Sequence, residues 1–418
     1  MAQFSVGANS DILRLNGPMR NPSMGHIFLT TNRAKRSVVL NLKTPGGRDT
    51  LLHLARTADV LVYNLRPQAM QRLGLRYEDL REVNPRIIYV GAFGFSQRGP
   101  YAGKPAYDDL IQGMCGIPWL TQQAGAEVPR YAPLIIADRI VGLQLAGAIS
   151  TALVHRERTG EGQRVDVPMF EGLLSVVLGE HLVGMLFEPP LGPAGYKRSL
   201  SPDRRPYRTQ DGHICTLIYN DKHWRSFFSA IGDPDRFEAD PRFSSQGARL
   251  QHIDDVYGYL ATILEKRRTQ EWMELFERHD IPAAPMYSVP DILQDDHIVK
   301  TDFVRKVQHS SEGPLLSTAI PTEWFGSPLD EPREAPRLGE HSYEVLLEAG
   351  FPRVKIDALI AEGAVVVHRI PGGERPSRGG RLPVTGEGPG PAGHDATAPS
   401  EPACPAPQPA SVVPSDER

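Results

Sequence analysis

Cysteine is scarce: three residues in 418, Cys115, Cys215 and Cys404, far apart and without a C-x-x-C pair. That excludes a disulfide framework and a cysteine-built zinc site, and it sets the chain in a reducing, cytoplasmic compartment. Long uncharged apolar runs are missing too. None reaches the ~18 residues that cross a bilayer as a helix, and no basic stretch followed by an apolar one opens the chain. The reading is a soluble protein, not exported, with no membrane partner. Excess charge of either sign is also lacking: a formal net charge of -4 and a pI near 6.4 give no reason to expect nucleic acid as a partner. Functional cations must therefore act locally. What is present is length enough for two domains and, at 40% hydrophobic residues, enough apolar side chain to bury their cores.

The chain is organised around residues 137–174. Asp138 opens an apolar run that reads as a buried helix of about four turns. His155, Arg156 and Arg158 put cations in its last turn, where the helix dipole favours them, and Gly160 is placed to cap it. Residues 163–167 alternate as a short strand does. Pro168 suits the first turn of a second apolar helix running to about Leu186, which sets Glu171 in that first turn. A carboxylate there lies at the positive end of the dipole and is held ionised. From local pattern alone both acids read as ordinary helix-start residues, Asp138 as a cap.

Upstream, residues 1–28 carry Gly, Asn, Pro and Met with weak periodicity and read as loop. A strand of Val and Leu ends near Lys43, and Thr44-Pro45 supplies the cap and first position of a helix. Val60-Leu61-Val62 is a buried strand, a helix follows at 67–73, and 86–93 is another apolar strand. Strands alternating with helices define βαβ units and a parallel sheet, whose ligands bind beyond the carboxyl ends of the strands. Asn64, Leu65, Arg66 and Arg72 lie beyond one such end, and 40–43 finish another. The Gly- and Pro-rich loop 94–107 leads into a helix at Tyr107, which the residues alone read as a half-buried aromatic.

Downstream, 191–204 is a linker by composition, and 205–295 reads as a small α+β domain with a hairpin turned at Asp211-Gly212. Residues 296–368 return to the large domain of 1–190. The Pro-, Gly-, Ala- and Ser-rich stretch 369–418 is expected to be disordered, because it cannot bury enough apolar surface to offset ordering entropy.

The run Arg156 to Glu171, R-x-R-T-G-x-G-Q-x-V-D-V-x-M-x-[DE], resembles the signature of the class III CoA-transferases, the CaiB/BaiF family, which includes formyl-CoA and carnitine CoA-transferases and α-methylacyl-CoA racemase. RLGEH at 337–341 agrees in order. The resemblance spans roughly 7–363 and implies an α/β fold: a Rossmann-like parallel-sheet large domain with an inserted small α+β domain, of an interlocked-dimer type. It implies coenzyme A as substrate, with acyl-CoA and carboxylic acid partners, a homodimer, and no metal or prosthetic group. It also assigns coenzyme A contacts to L-[DN]-L-K (Leu40, Asn41, Leu42, Lys43), to N-x-x-P-x-x-x-x-R (Asn64, Leu65, Arg66, Arg72) and to P-x-Y-[DE] (Ala106, Tyr107, Asp108). Glu171 becomes the covalent nucleophile and Asp138 a second catalytic residue.

Three departures matter. The family begins some tens of residues earlier with a strand, loop and helix that this chain lacks, including a strand that would sit inside the sheet. Glu171 stands where formyl-CoA transferase has Asp, and Tyr107 where the racemases have the His that works with the Asp matching Asp138. The implied activity is CoA transfer between acids; the alternatives are an acyl-CoA racemase or isomerase using Asp138, and an inactive CoA-binding homologue.

Overall fold

The computed structural model describes residues 2–6 and 11–368; the tail expected to be disordered lies outside the described residues. The opening stretch is not loop throughout. It contributes a strand, β1 (Ala2–Val6), a 3-10 turn at Ile12–Leu15 and a helix, α1 (His26–Thr31). Five residues offer too few positions for period-two alternation to register, and β1 is held by its pairing with a distant strand. That strand is β2 (Arg36–Leu40), parallel to β1 with Phe4 opposite Val38, and antiparallel on its other side to Val365–Val366. Val38, Val39 and Leu40 are fully buried, as expected of a strand covered on both faces.

Helix α2 (Pro45–Ala55) starts as its sequence predicts, with the Thr44 hydroxyl accepting from Gly47 N–H at 3.1 Å and Pro45 at the first position. Gly47 has a second reason: a Cβ there would come within 2.1 Å of the Asn41 carbonyl oxygen, so only glycine lets the helix start press against the end of β2. Next come β3 (Val60–Tyr63), α3 (Pro67–Arg72), α4 (Tyr77–Val83) and β4 (Ile88–Phe93). Helix α4 buries only Leu80, which explains why its mostly polar sequence gave no periodic signal. The short helices α5 (Asp108–Met114) and α6 (Ile117–Gln123) lead to α7 (Ile136–Thr159), then β5 (Arg164–Pro168) and α8 (Met169–His181).

Strands β3, β4 and β5 pair in parallel with β4 central, as the βαβ reading requires. The sheet is divided, however: β2 belongs to a separate three-stranded sheet, and the two are joined through one core in which Val38 and Leu40 meet Tyr63, Tyr89 and Phe93. Helices Ser342–Glu348 and Arg353–Ala361 pack on that core through Val345, Leu346, Ile356 and Leu359. A second core lies wholly within 207–283. There Trp224, Phe227, Phe228, Phe243, Trp272 and Phe276 fill the space between an antiparallel sheet (Tyr207–Arg208, His213–Thr216, Ala283–Pro285) and three helices.

Two strongly apolar segments are less buried than their composition predicts. Val62 in β3 is 46% exposed, because β3 is an edge strand whose outer side borders a cleft. Helix α7 begins two residues before Asp138, runs 24 residues and is mostly exposed. One face packs on β4 and β5 through Val141, Ile149 and Ala152. The opposite face presents Leu143, Gly147, Ser150 and Val154 to solvent, with Leu143 76% exposed. By length and composition alone α7 would also span a membrane. Its C-terminus is as expected: Gly160 takes φ +81° and its N–H bonds the Arg156 carbonyl, while Arg156 turns inward to Asp59 at 3.0 Å.

Candidate active site

Three adjoining clefts run past the carboxyl ends of β2 and β3. The first, of about 560 Å³, is lined by Leu42, Lys43, Arg48 and Arg72. The second, about 520 Å³, shares Arg72 and adds Leu65, Arg66 and Gly103. The third, about 590 Å³, is bounded by Leu42, Asn64, Leu65, Asp138 and Arg139. Shared walls at Leu42, Leu65 and Arg72 make them one track, cationic at one end and carrying Asp138 at the other. Each cleft has the volume of an ordinary small-molecule site.

Most of the residues expected from sequence meet on this track. Among the described residues the Lys43 ammonium and the Arg72 guanidinium have no hydrogen-bond or ion-pair partner, so both are available to an anion. Arg66 is partly engaged, donating to the Gly103 carbonyl at 3.3 Å and so tying the start of α3 to loop 94–107. Leu40 lies apart: its side chain is fully buried in the core and its backbone is paired on both sides, to Val6 and Val365. Arg48 was missed. It sits one turn into α2, on the side facing Arg72, and its five-residue spacing from Lys43 across the helix start is the signal that points to it.

Glu171 occupies the third position of α8, with Pro168 as the cap residue rather than inside the first turn. Both its carboxylate oxygens accept from Ser96 N–H, at 3.1 and 3.2 Å. The loop carrying Ser96 is fastened to the helix start by Phe170 N–H donating to the Gly94 carbonyl at 3.0 Å. Gly94 permits this, since a Cβ there would lie 2.1 Å from the Ala106 Cβ. Below, the buried Cys115 thiol donates to the Phe170 carbonyl at 3.5 Å; burial, and then the negative charge of Glu171, push that thiol up to about 11. Glu171 itself is exposed.

Asp138 is not the cap of its helix. Ile135 holds that position, and the capping acceptor comes from elsewhere in the chain: Asp108, buried at the start of α5, accepts from Ala137 N–H at 2.7 Å and Asp138 N–H at 3.2 Å. Gln112 donates to its other oxygen at 2.5 Å. Asp108 is thus committed to the N-terminus of α7, while its neighbour Tyr107 is 75% exposed and Ala106 packs beside Gly94. Freed of capping, the Asp138 carboxyl faces the cleft with Asn64. Desolvation by the surrounding residues, and then the charge of Asp108, raise it above the ordinary carboxyl value, with Arg139 opposing.

A raised folded value means that ionised Asp138 costs stability. The cost is full above the folded value and absent below the unfolded one. Asp138→Asn is therefore expected to raise the melting temperature modestly at pH 7 and to leave it unchanged at pH 3, the side chain's exposure keeping the effect small. Calorimetric scans at the two pH values check it, and an equal shift at both would assign the effect to packing.

Residues 7–342 match the family described as CoA-transferase family III. The chain belongs to that family and is an enzyme of its class, with CoA as substrate. It is 32% identical over 324 residues to a succinate–glutarate CoA-transferase from Agrobacterium fabrum, covering 77% of this chain and 80% of the relative. It is 31% identical over 333 residues to an acetyl-CoA:oxalate CoA-transferase from Acetobacter aceti, covering 78% and 83%. A solved structure of a CAIB/BAIF family protein from Brucella suis superposes with a TM-score of 0.68 at 25% identity, covering 83% of this chain and 91% of that one.

Proposed function

We propose that the enzyme moves CoA from an acyl-CoA thioester to a free carboxylic acid with Glu171 as covalent nucleophile. A Glu171 oxygen attacks the thioester carbonyl, giving a mixed anhydride and CoA thiolate; the thiolate then attacks the glutamyl carbonyl to give an enzyme glutamyl-CoA thioester and release the first acid. The second acid reverses these steps. The observation that carries this reading is an exposed carboxylate in the first turn of α8, oriented by one backbone N–H that both its oxygens share. Incubation with succinyl-CoA followed by hydroxylamine and peptide mass spectrometry tests it. A hydroxamate on Glu171 supports the reading, and its absence while transfer proceeds defeats it. Succinate, glutarate and oxalate, the acids in the relatives' names, are the first acceptors to try.

CoA itself would lie along the three clefts, its phosphates toward Lys43, Arg48 and Arg72, which present fixed or free cations suited to them. Arg72→Ala and Arg48→Ala are each expected to weaken CoA binding by about 1–3 kcal/mol. Titration calorimetry at two salt concentrations checks this, since loss of a phosphate contact also flattens the salt dependence.

A second reading, racemisation or isomerisation at the α carbon, is favoured by the raised carboxyl of Asp138 in the cleft. It lacks the histidine partner, since Tyr107 stands there. Deuterium exchange at the α carbon that Asp138→Asn stops and Glu171→Gln spares would select it. The uncharged exposed face of α7 further supports a homodimer: Gly142 and Gly147 leave its surface open to close helix approach, and Val176 and Leu178 of α8 add to the exposed apolar area. Free thiols at Cys115 and Cys215 suit a reducing, cytoplasmic setting.

A further inference from the structure

The geometry points to the Ser96 backbone N–H as an oxyanion donor that acts on the enzyme's own side-chain carbonyl, in the two steps where Glu171 is attacked. This rests on the covalent reading above. The donor is 3.1 Å from one Glu171 oxygen and 3.2 Å from the other, so it remains in reach whichever oxygen takes the acyl group. Its position is set by the chain around it: Phe95 before it is buried, Gly94 accepts from Phe170 N–H, and Arg98 N–H bonds the Ser96 hydroxyl at 3.3 Å.

The charge on the oxygen facing Ser96 changes through the cycle. In the resting enzyme it is a carboxylate oxygen. In the mixed anhydride and in the glutamyl-CoA thioester it is a neutral carbonyl. When CoA thiolate attacks the glutamyl Cδ of the anhydride, a C–S bond forms and the carbonyl pair moves onto that oxygen; collapse breaks the C–O bond and the acyl carboxylate leaves. When the second acid attacks the glutamyl thioester, a C–O bond forms, the same oxygen takes the charge again, and the C–S bond breaks to release CoA thiolate. No proton moves in either step. A hydrogen bond to an anionic oxygen is roughly twice as strong as one to a neutral carbonyl, so the donor lowers both barriers relative to the covalent intermediates that precede them. This sign is distinctive: removing the donor slows the escape from the covalent state more than the entry into it.

The test follows one CoA adduct. Enzyme is incubated with succinyl-CoA, the covalent CoA adduct is quantified by intact-protein mass spectrometry, and its decay is timed after glutarate is added. Ser96→Pro removes the N–H and is expected to slow decay of the adduct by about 10²–10³-fold, the size of effect of losing one oxyanion donor. Ser96→Ala keeps the N–H while losing the hydroxyl contact to Arg98 N–H, and is expected to slow decay far less than Ser96→Pro. Wild-type decay in Ser96→Pro, or equal slowing in Ser96→Ala, overturns the assignment while leaving the covalent reading intact; absence of any adduct in the wild type overturns both. Should Ser96→Pro not fold, infrared difference spectra of the wild-type adduct carrying ¹³C-labelled glutamate decide. A glutamyl carbonyl band lowered relative to the acid-unfolded adduct supports the donor, and an unshifted band overturns it.

Discussion

Replacing Glu171 with Gln is expected to lower CoA exchange between acids by about 10⁴-fold or more, the scale at which an enzyme loses its nucleophile, while CoA still binds. The substitution is well isolated. Gln keeps the length of the side chain and one oxygen to accept from Ser96 N–H, which bonds both carboxylate oxygens in the wild type. The contacts that anchor the start of α8, Phe170 N–H to the Gly94 carbonyl and the Cys115 thiol to the Phe170 carbonyl, do not involve the Glu171 side chain. A radiolabelled exchange assay between succinyl-CoA and glutarate measures the rate, and calorimetry measures CoA affinity. Retained exchange in Glu171→Gln would sink the nucleophile assignment; a parallel loss of CoA affinity would mean that the residue binds rather than reacts.

The site was legible where chemistry is written locally. The first-turn position of Glu171 follows from Pro168 and the apolar run after it, and the α2 cap follows from Thr44-Pro45, because such signals need only neighbours in sequence. What binds Glu171 was not legible. Ser96 acts through its backbone, so no side-chain pattern marks it, and it reaches Glu171 across 75 residues of chain. The split of the sheet was hidden for a related reason: β1 and the Val365–Val366 strand are short, and each exists through its pairing with β2. The exposure of α7 reversed an inference that is ordinarily sound. A helix with a long apolar middle reads as buried, yet periodicity reports that a face needs covering and not whether the same chain covers it. Asp138 was misread by the commonest rule of all, an acid at a helix start taken as the cap, because the true capping acceptor lies 30 residues upstream.

Asp108→Ala is expected to destabilise the protein by about 3 kcal/mol, most of it through α7. One buried carboxylate satisfies three donors: Ala137 N–H at 2.7 Å, Asp138 N–H at 3.2 Å and the Gln112 amide at 2.5 Å. Alanine leaves both backbone N–H groups unpaired and the Gln112 amide with one bond fewer in a place that water reaches poorly, and it removes a negative charge from the positive end of a 24-residue helix. Asp108→Asn is no remedy. Its oxygen can cap α7, but its amide then confronts the Gln112 amide, and Gln112 cannot turn over without giving up its bonds to the Leu134 carbonyl and the Ala132 N–H. Asp108 and Gln112 should therefore behave as a unit. In denaturant unfolding the double alanine variant is expected to fall short of the sum of the singles by about 1 kcal/mol or more, as contacting residues do. The same variants separate two roles for Asp108. If it holds the helix, the stability loss appears with and without CoA, and CoA affinity falls only as far as the wall of the cleft at Ile135 and Asp138 loosens. If it contacts CoA as the family motif implies, affinity falls while the unfolding midpoint of the free enzyme holds. The first outcome is expected, because a buried carboxylate already accepting from two backbone N–H groups and an amide is held in place by the fold before any ligand arrives.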